Sequence, residues 1–209
     1  MIREETIFRL RVSGTRVVDS WPGGELLIEE TGNRRPEVSA EVANWERERP
    51  RRLWDPSRRL LACIRGYQRN KKPGLLASAA RKYWSLHHRF WTVITQAEID
   101  LNCQIGGGLM IPHPNGIVIH PKAIIGPNCL IFQQVTIGTR QGPGVPRIGG
   151  HVDIGAGARV LGSIVVGNHS RIGANSVVIT DVLPETTVVG IPARPLQAGG
   201  SLTHGLESP

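Results

Sequence analysis

The sequence has few cysteines and no long apolar run, and both absences restrict what the chain can be. Its only cysteines, Cys63, Cys103 and Cys129, are widely spaced and match no metal-binding pattern, so we expect small buried or free thiols and no metal site. No run of about 18 apolar residues occurs, which predicts no membrane span. The first residues lack the basic-then-apolar order of a signal peptide, so we expect a cytoplasmic location.

Acidic residues are also scarce relative to basic ones. The chain has 25 Lys and Arg against 17 Asp and Glu, for a net charge of +8, and the basic residues concentrate before Glu98. One interpretation is a solvated helical surface. The alternative is attraction of a phosphate-bearing ligand or an anionic surface. No zinc-finger, RNP-type or helix-turn-helix signature is present, so nucleic-acid binding is not predicted.

What the sequence does contain is a six-residue spacing of aliphatic residues from Glu98 to Val178. Six is too long a period for a helical face and too regular for ordinary strand alternation, and it is typical of a parallel β-helix. Three hexads then form one turn, each supplying a short strand, with glycine or asparagine at the corners. The spaced positions are Ile99, Ile105, Ile119, Ile125, Ile131, Ile137, Ile148, Ile154, Val160, Val166, Ile172 and Val178.

The spacing fails at two places. The step from Ile105 to Ile119 is 14 residues, two hexads plus two extra. The step from Ile137 to Ile148 is 11 residues, which we interpret as nearly two hexads but one short. Interruptions of a solenoid map to loops that often lie on the binding face, so these are the places to look for chemistry.

Before the hexads, the sequence predicts helices. Asp55 followed by Pro56 is typical of a helix start, and Lys72 followed by Pro73 predicts a second start of the same kind. The chain thus divides into an N-terminal arm at 1–36, a helical segment at 37–97, the β-helix at 98–195 and a flexible tail at 196–209. The adjacent His87 and His88 diverge by about 100° on the second helix and are interpreted as structural or surface residues.

The first interruption contains His113, between two prolines. A histidine titrates near neutral pH and can therefore take a proton from a hydroxyl group. Glu98 lies 15 residues earlier, within reach across neighbouring coils. A carboxylate hydrogen-bonded to one ring nitrogen fixes the tautomer and stabilises the imidazolium that forms. The other histidines of the repeat, His120, His151 and His169, are expected on coil exteriors or corners and have weaker support for a direct role.

The stretch from Glu98 to Gly116 resembles the start of the β-helix in the serine O-acetyltransferase family. The resemblance continues through Val135-Thr-Ile-Gly138, Ile154-Gly-Ala-Gly-Ala158 and Val189-Gly-Ile-Pro-Ala-Arg194. It implies a mainly β fold with an α-helical N-terminal part: a left-handed parallel β-helix of hexapeptide repeats, assembled as a homotrimer or a dimer of trimers.

The resemblance also implies roles for individual residues. In that family an acidic residue precedes the catalytic histidine by the same 15 positions, so His113 is the expected general base and Glu98 its orienting carboxylate. The acceptor hydroxyl attacks the thioester of acetyl-CoA directly, and L-serine is the expected acceptor, giving O-acetyl-L-serine for cysteine biosynthesis. The positions implied to contact acetyl-CoA are Thr136, Gly138, Gly155, Ala156, Ala158 and Arg194.

Several departures from the family pattern bear on the acceptor. Pro112 stands where the serine enzymes carry an aspartate, and the second interruption lacks their Arg-His pair. Arg147 and Asp55 are the candidates for binding the acceptor instead. The alternatives are O-acetylation of a sugar or polysaccharide-precursor hydroxyl and a scaffold subunit without catalysis. The chain also ends without the terminal isoleucine that docks family members into a sulfhydrylase, so no such complex is predicted.

Overall fold

A computed structural model describes the protein over residues 38–196 and over the backbone of three short strands that precede them. Those strands are β1 (Arg11–Val12), β2 (Thr15–Val18) and β3 (Leu27–Glu29), and they form an antiparallel sheet in the order β1-β2-β3. This sheet belongs to a compact unit of its own. The rest of the predicted N-terminal arm, and the predicted flexible tail beyond residue 196, lie outside the described residues.

The segment 38–54 is mostly irregular, with one 3₁₀ turn at Trp45–Arg47, so the prediction of helix is wrong there. Hydrogen bonds to the solenoid explain the difference. The side-chain amide of Asn128 donates to the Ser39 carbonyl at 2.7 Å, and its Oδ1 accepts from the Asn44 N–H at 2.8 Å. The segment thus satisfies its backbone groups against the neighbouring coil rather than within a helix.

Two α-helices follow, α1 (Pro56–Arg69) and α2 (Leu75–Thr95). The predicted start at Pro56 is confirmed. The second helix begins two residues after the predicted Pro73, because Gly74 holds a φ of 144° that only glycine adopts readily, and it occupies the N-cap position. Neither helix of the described part is long and apolar enough to cross a bilayer.

His88 joins α2 to the solenoid. Its Nε2 lies 2.8 Å from the carbonyl oxygen of Ile99, and burial lowers the pKa of His88 below its ordinary value. A neutral ring that donates to a carbonyl is the form that this environment favours. His87 lies one position away, with its Nδ1 3.0 Å from the Tyr83 carbonyl oxygen on the same helix. Both histidines have the structural or surface roles that the sequence predicts.

From Glu98 the chain forms a parallel β-helix of about five turns, with three faces. Face one contains β4 (Glu98–Ile99), β6 (Val118–Ile119), β9 (Thr136–Gly138), β12 (Arg159–Leu161) and β15 (Val177–Val178). Face two contains β5 (Gln104–Ile105), β7 (Ile124–Ile125), β10 (Arg147–Ile148) and β13 (Val165–Val166). Face three contains β8 (Leu130–Ile131), β11 (Asp153–Ile154), β14 (Arg171–Ile172), β16 (Thr187–Gly190) and the antiparallel β17 (Ala193–Pro195).

The core is built from the aliphatic positions of the hexads. In each strand the aliphatic residue points inward and stacks on its equivalent one coil away, as Ile99 does on Ile119 and Ile119 on Ile137. All twelve spaced positions are buried. One coil cannot cover its own apolar interior, so the stacked coils stabilise one another. The predicted parallel β-helix, preceded by a helical part, is therefore confirmed.

The structure also locates the inserted residues. Ile111 is buried and occupies the inward position of face three, so the two extra residues of the first interruption lie between Ile111 and Ile119. The second interruption runs directly from β9 on face one to β10 on face two. That is one step around the coil, so its 11 residues are one hexad with five inserted residues. The interpretation as nearly two hexads is wrong.

Candidate active site

One edge of the solenoid, where face three turns into face one, carries both His113 and most of the predicted acetyl-CoA positions. We call it the His113 edge; successive coils supply its turns at residues 96–97, 112–117, 132–135, 155–158 and 173–176. At every coil one residue of the turn has a positive φ, which permits the sharp corner. These residues are Gln96, Gly116, Gln134, Gly157 and Asn175.

A continuous ladder of backbone hydrogen bonds holds the turns of the His113 edge together. Each bond links an N–H of one coil to a carbonyl of the coil before it, at 2.8–2.9 Å. From the first coil to the last, the donor and acceptor pairs are Gly116 and Gln96, Gln134 and Asn115, Gly157 and Gln133, and Asn175 and Ala156. The edge is thus a regular surface along which an extended ligand can lie.

His113 stands exposed on this edge, beside the strand that carries Glu98. The Asn115 side chain donates to Oε1 of Gln96, and the Glu98 N–H donates to the Ile117 carbonyl at 2.7 Å. These bonds fix the backbone of the turn against the first strand. Within residues 38–196 the Glu98 carboxylate and the His113 ring form no direct hydrogen bond, and catalytic hydrogen bonds often tighten only when substrate binds.

The outward residues of face one continue the arrangement. Glu98 pairs with Val118, and Val118 pairs with Thr136, so the three form one column. Because neighbouring strands lie about 4.8 Å apart, Glu98 and Thr136 are separated by about 10 Å. The Thr136 N–H donates to the Ala158 carbonyl at 3.0 Å, which places these two predicted acetyl-CoA positions side by side.

Glycine and alanine keep this part of the edge free of large side chains. The space where a Cβ of Gly138 would lie has no atom within 4 Å, so this position is open. A Cβ on Gly155 would lie 2.6 Å from the backbone nitrogen of Ala174, so the close stacking of coils itself requires glycine there. The structure therefore brings five of the six predicted positions, including Ala156, to one region beyond His113.

Two predicted site residues lie elsewhere in the single chain. Arg147 is on face two, between Ile124 and Val165, and its side chain is exposed. Arg194 is in β17 at the end of face three, also exposed, with Nη1 donating to the carbonyl of Ala193 at 3.2 Å. Neither arginine is brought to His113 within one chain.

Asp55 does reach the segment that precedes His113. It lines a cavity of about 220 Å³ together with Arg58, Ile111 and Pro112. Its carboxylate accepts from the Arg58 guanidinium at 3.1 Å. Burial alone raises the pKa of Asp55, but the backbone N–H of Arg51 and the Arg58 side chain outweigh it, so the net pKa is lowered. Asp55 is therefore ionised at neutral pH and already paired.

The sequence interpretation did not identify three residues that shape the site: Arg58, Gln96 and Asn115. Arg58 pairs with Asp55 through space, and nothing in its sequence position signals that. Gln96 and Asn115 hold the His113 turn. Asn115 stands in a Pro-Asn-Gly sequence, which is a turn signal, whereas no local signal predicts the positive φ of Gln96.

The cysteines and the remaining histidines lie apart from His113. All three cysteines are buried, as predicted, and burial raises the pKa of each thiol to about 11, which keeps it protonated at neutral pH. His151 and His169 stack at the corner between faces two and three, with their Nδ1 atoms 2.8 Å apart. The described residues contain no group of three side chains suited to hold a metal ion.

Comparison with known proteins gives a consistent set of relatives. No family model matches the chain. The serine acetyltransferase of Synechococcus elongatus is 44% identical over 111 residues, which cover 52% of this chain and 46% of that protein. A serine acetyltransferase structure in complex with CoA matches with a TM-score of 0.57 and 30% identity, covering 69% of this chain and 58% of the other.

Soybean serine acetyltransferase matches in two solved structures. Its complex with serine has a TM-score of 0.58 and 33% identity, covering 69% of this chain and 58% of the other. Its apoenzyme has a TM-score of 0.52 and 32% identity, and the match covers 68% of this chain and 70% of that one. The chain spans about half the length of the curated relatives it matches. With this likeness over the solenoid and the helices before it, the chain belongs to the serine O-acetyltransferase family.

Proposed function

We propose that this protein is an acetyl-CoA-dependent O-acetyltransferase whose acceptor is L-serine. The observation that carries the proposal is the His113 edge: His113 and Glu98 stand on neighbouring coils of the edge that also presents the small residues predicted to contact acetyl-CoA. A base, its orienting carboxylate and an open groove along one line are what direct transfer between two bound substrates requires.

The proposed reaction proceeds in one displacement. A ring nitrogen of His113 takes the proton of the acceptor hydroxyl as the hydroxyl oxygen attacks the carbonyl carbon of the acetyl thioester. The carbon–sulfur bond then breaks, and the CoA thiolate takes the proton from the His113 imidazolium. Glu98 stabilises the imidazolium in between. The raised pKa values of the three cysteines support direct transfer, since none offers a thiolate at neutral pH.

Acetyl-CoA is proposed to lie along the His113 edge, with its acetyl end at His113 and its pantetheine arm beside Thr136, Gly138 and Ala158. The matched CoA complex supports a CoA site in this fold. Exposed backbone groups at glycine and alanine corners suit an amide-containing chain, because each amide can pair with a carbonyl or N–H of the edge.

The site is proposed to be completed in a trimer of this chain. Arg147 lies on face two, whereas His113 lies on the edge between faces three and one, so one chain does not join them. A second copy that packs its face-two side against the His113 edge brings the second interruption to the acceptor. Arg147 then pairs with the acceptor carboxylate, and Asp55 receives its ammonium group. Arg194 is proposed for the phosphates of CoA.

A sugar hydroxyl is the second candidate acceptor, and specific observations favour it. Pro112 offers no charge beside His113, and the Asp55 carboxylate is already engaged by Arg58. A neutral acceptor needs neither partner. Serine is preferred because the matched soybean enzyme is bound to serine. Its product would supply cysteine biosynthesis in the cytoplasm; the absence of sulfhydrylase docking stays a prediction.

The test follows thiol release from acetyl-CoA with L-serine or with a panel of sugars as acceptor. We expect release with serine, reduced about 10²–10⁴-fold in His113→Ala. His120→Ala is the matched control, because His120 lies on the next turn of face one and takes no part in the proposed reaction. Release with sugars alone would move the assignment to the second acceptor. Release with no acceptor, together with unchanged acetyl-CoA binding in His113→Ala, would support a scaffold instead.

A further inference from the structure

The second helix presents an apolar surface to solvent that the acetyl-transfer site does not use. Helix α2 buries Trp91 and Thr95 on one side and exposes large apolar side chains on the other, among them Leu75 at 92% and Val93 at 75%. At about 100° per residue the exposed residues fall within an arc of about 100°, along a helix of about 30 Å. We call this the α2 stripe: Leu75, Leu76, Ala79, Tyr83, Leu86, Phe90, Val93 and Ile94.

A basic groove runs directly beside the α2 stripe. It has a volume of about 460 Å³, lies between α1 and α2, and is lined by two serines, a tyrosine and three cationic side chains, Arg81, Lys82 and Arg89. An apolar groove of about 570 Å³ shares Leu86 and Arg89 with it. Hydroxyl and cationic donors therefore stand at the border of an apolar surface, which is the chemistry of a phosphate group attached to a hydrocarbon chain.

No acidic side chain offsets this charge locally. Residues 56–95 contain no Asp or Glu, whereas nine Lys and Arg occur among them. Within the described part of the chain, the acids that form ion pairs are Glu46, Glu48 and Asp55, all of which precede α1. Arg81 donates to the carbonyls of Asn70 and Lys72, while Lys82 and Arg89 are exposed.

The charge decides between two occupants of the α2 stripe. A second copy of the chain would bring one uncompensated cationic groove towards another, and like charges repel. An anionic phospholipid surface supplies both complements at once: acyl chains for the stripe and phosphates for the groove. Helices that lie in the membrane interface combine an apolar face with a flank rich in Lys and Arg in this way.

We propose that α2 is a membrane-surface docking helix, which inserts the α2 stripe into the interface of an anionic phospholipid bilayer and binds headgroup phosphates in its basic groove. The helix lies flat on the surface and does not cross it. Docking is separate from acetyl transfer, because the His113 edge belongs to the solenoid and α2 supplies none of its residues.

Flotation of the full chain with lipid vesicles tests the proposal. We expect binding to vesicles of phosphatidylcholine containing about one-third phosphatidylserine, and binding at least about tenfold weaker to pure phosphatidylcholine. Both Val93→Asp and the double variant Lys82→Glu, Arg89→Glu should lower binding at least about tenfold. Leu183→Asp is the matched control, because Leu183 is also 75% exposed but lies on the solenoid; Lys122→Glu is the control for charge.

Three results would overturn the proposal. Equal binding to both vesicle types, or none to either, removes the anionic surface as the partner. Inorganic phosphate that raises the melting temperature of the parent, without vesicle binding, indicates a site for free anions. A lower mass of Val93→Asp in light scattering, again without vesicle binding, indicates that the stripe joins copies of the chain. Unchanged solution turnover of the variants shows that each still folds.

Discussion

The two interruptions of the hexapeptide repeat differ in how the solenoid holds them. The turn at 112–117 is tied on both sides: Gly116 and Asn115 bond to the coil before, and Asn115 also accepts from the coil after. Between residues 139 and 145, by contrast, the structure records no hydrogen bond to a neighbouring coil, and residues 139–143 are exposed. An insertion alone therefore does not define a rigid site; the hydrogen bonds of its backbone do.

The comparison assigns each interruption a different task. A catalytic base must be held within a fraction of an ångström, which suits the tied turn. A projecting loop satisfies its backbone with water and can adjust to another surface, which suits a contact completed by a second copy. The predictions below separate these tasks, beginning with the largest expected effect.

Substituting the positive-φ glycine of each interruption contrasts them directly. Gly116→Ala forces a side chain onto a φ of 67°, where its Cβ would lie 3.2 Å from the Gln134 side chain. Such a residue costs about 1–2 kcal/mol, and displacement of His113 should lower turnover about 10²-fold. Gly142→Ala, at a φ of 125° with no atom within 4 Å of the added Cβ, should change turnover less than about threefold. Steady-state kinetics compares them, and equal losses would contradict the distinction.

Removing the charge at the end of the second interruption sharpens the assignment of the acceptor. If Arg147 binds the carboxylate of serine, Arg147→Ala should raise the KM for serine about tenfold and leave kcat nearly unchanged. With a sugar acceptor the same variant should behave like the parent. Initial rates at varied acceptor concentration measure this, and a fall in kcat alone would remove Arg147 from acceptor binding.

Loosening the tied turn should have a smaller effect than straining it. Asn115→Ala removes the bond to Gln96 but leaves the backbone ladder in place, so we expect turnover to fall about fivefold. Acetyl-CoA binding, measured by calorimetry, should be retained. Asn102→Ala, an exposed asparagine on another face, is the control and should match the parent. A parent-like Asn115→Ala would show that the backbone bonds suffice.

Mild acid should weaken the join between α2 and the first strand. The pKa of His88 is lowered by burial from its ordinary value of 6.5, so the unfolded chain binds the proton more readily. Stability is therefore full above about pH 6.5 and is lost as the pH falls towards the folded pKa. We expect the melting temperature to drop by about 2–4 °C between pH 7.5 and 5.5, and less so in His88→Gln. His87→Gln should keep the parent's pH dependence.

Several features of the site were predictable because they depend on local spacing. The inward aliphatic residues follow from the period of six, which fixes which side chain of each strand faces the core. The first interruption was counted correctly, because two extra residues leave the neighbouring hexads in register. The second was misread, because spacing alone does not say how many faces a gap spans; the pairing of β9 and β10 on adjacent faces decided it.

By itself, the sequence determined the β-helix, the helix start at Pro56 and the choice of His113 and Glu98 as the residues to examine. The tertiary structure alone decided that segment 38–54 is not helical, since its hydrogen-bonding partner Asn128 is remote in sequence. It also decided that Arg147 and His113 occupy different parts of the coil, and that the α2 stripe is left uncovered by the solenoid. Each of these depends on which surfaces meet when the chain folds, and contacts between distant residues leave no period in the sequence.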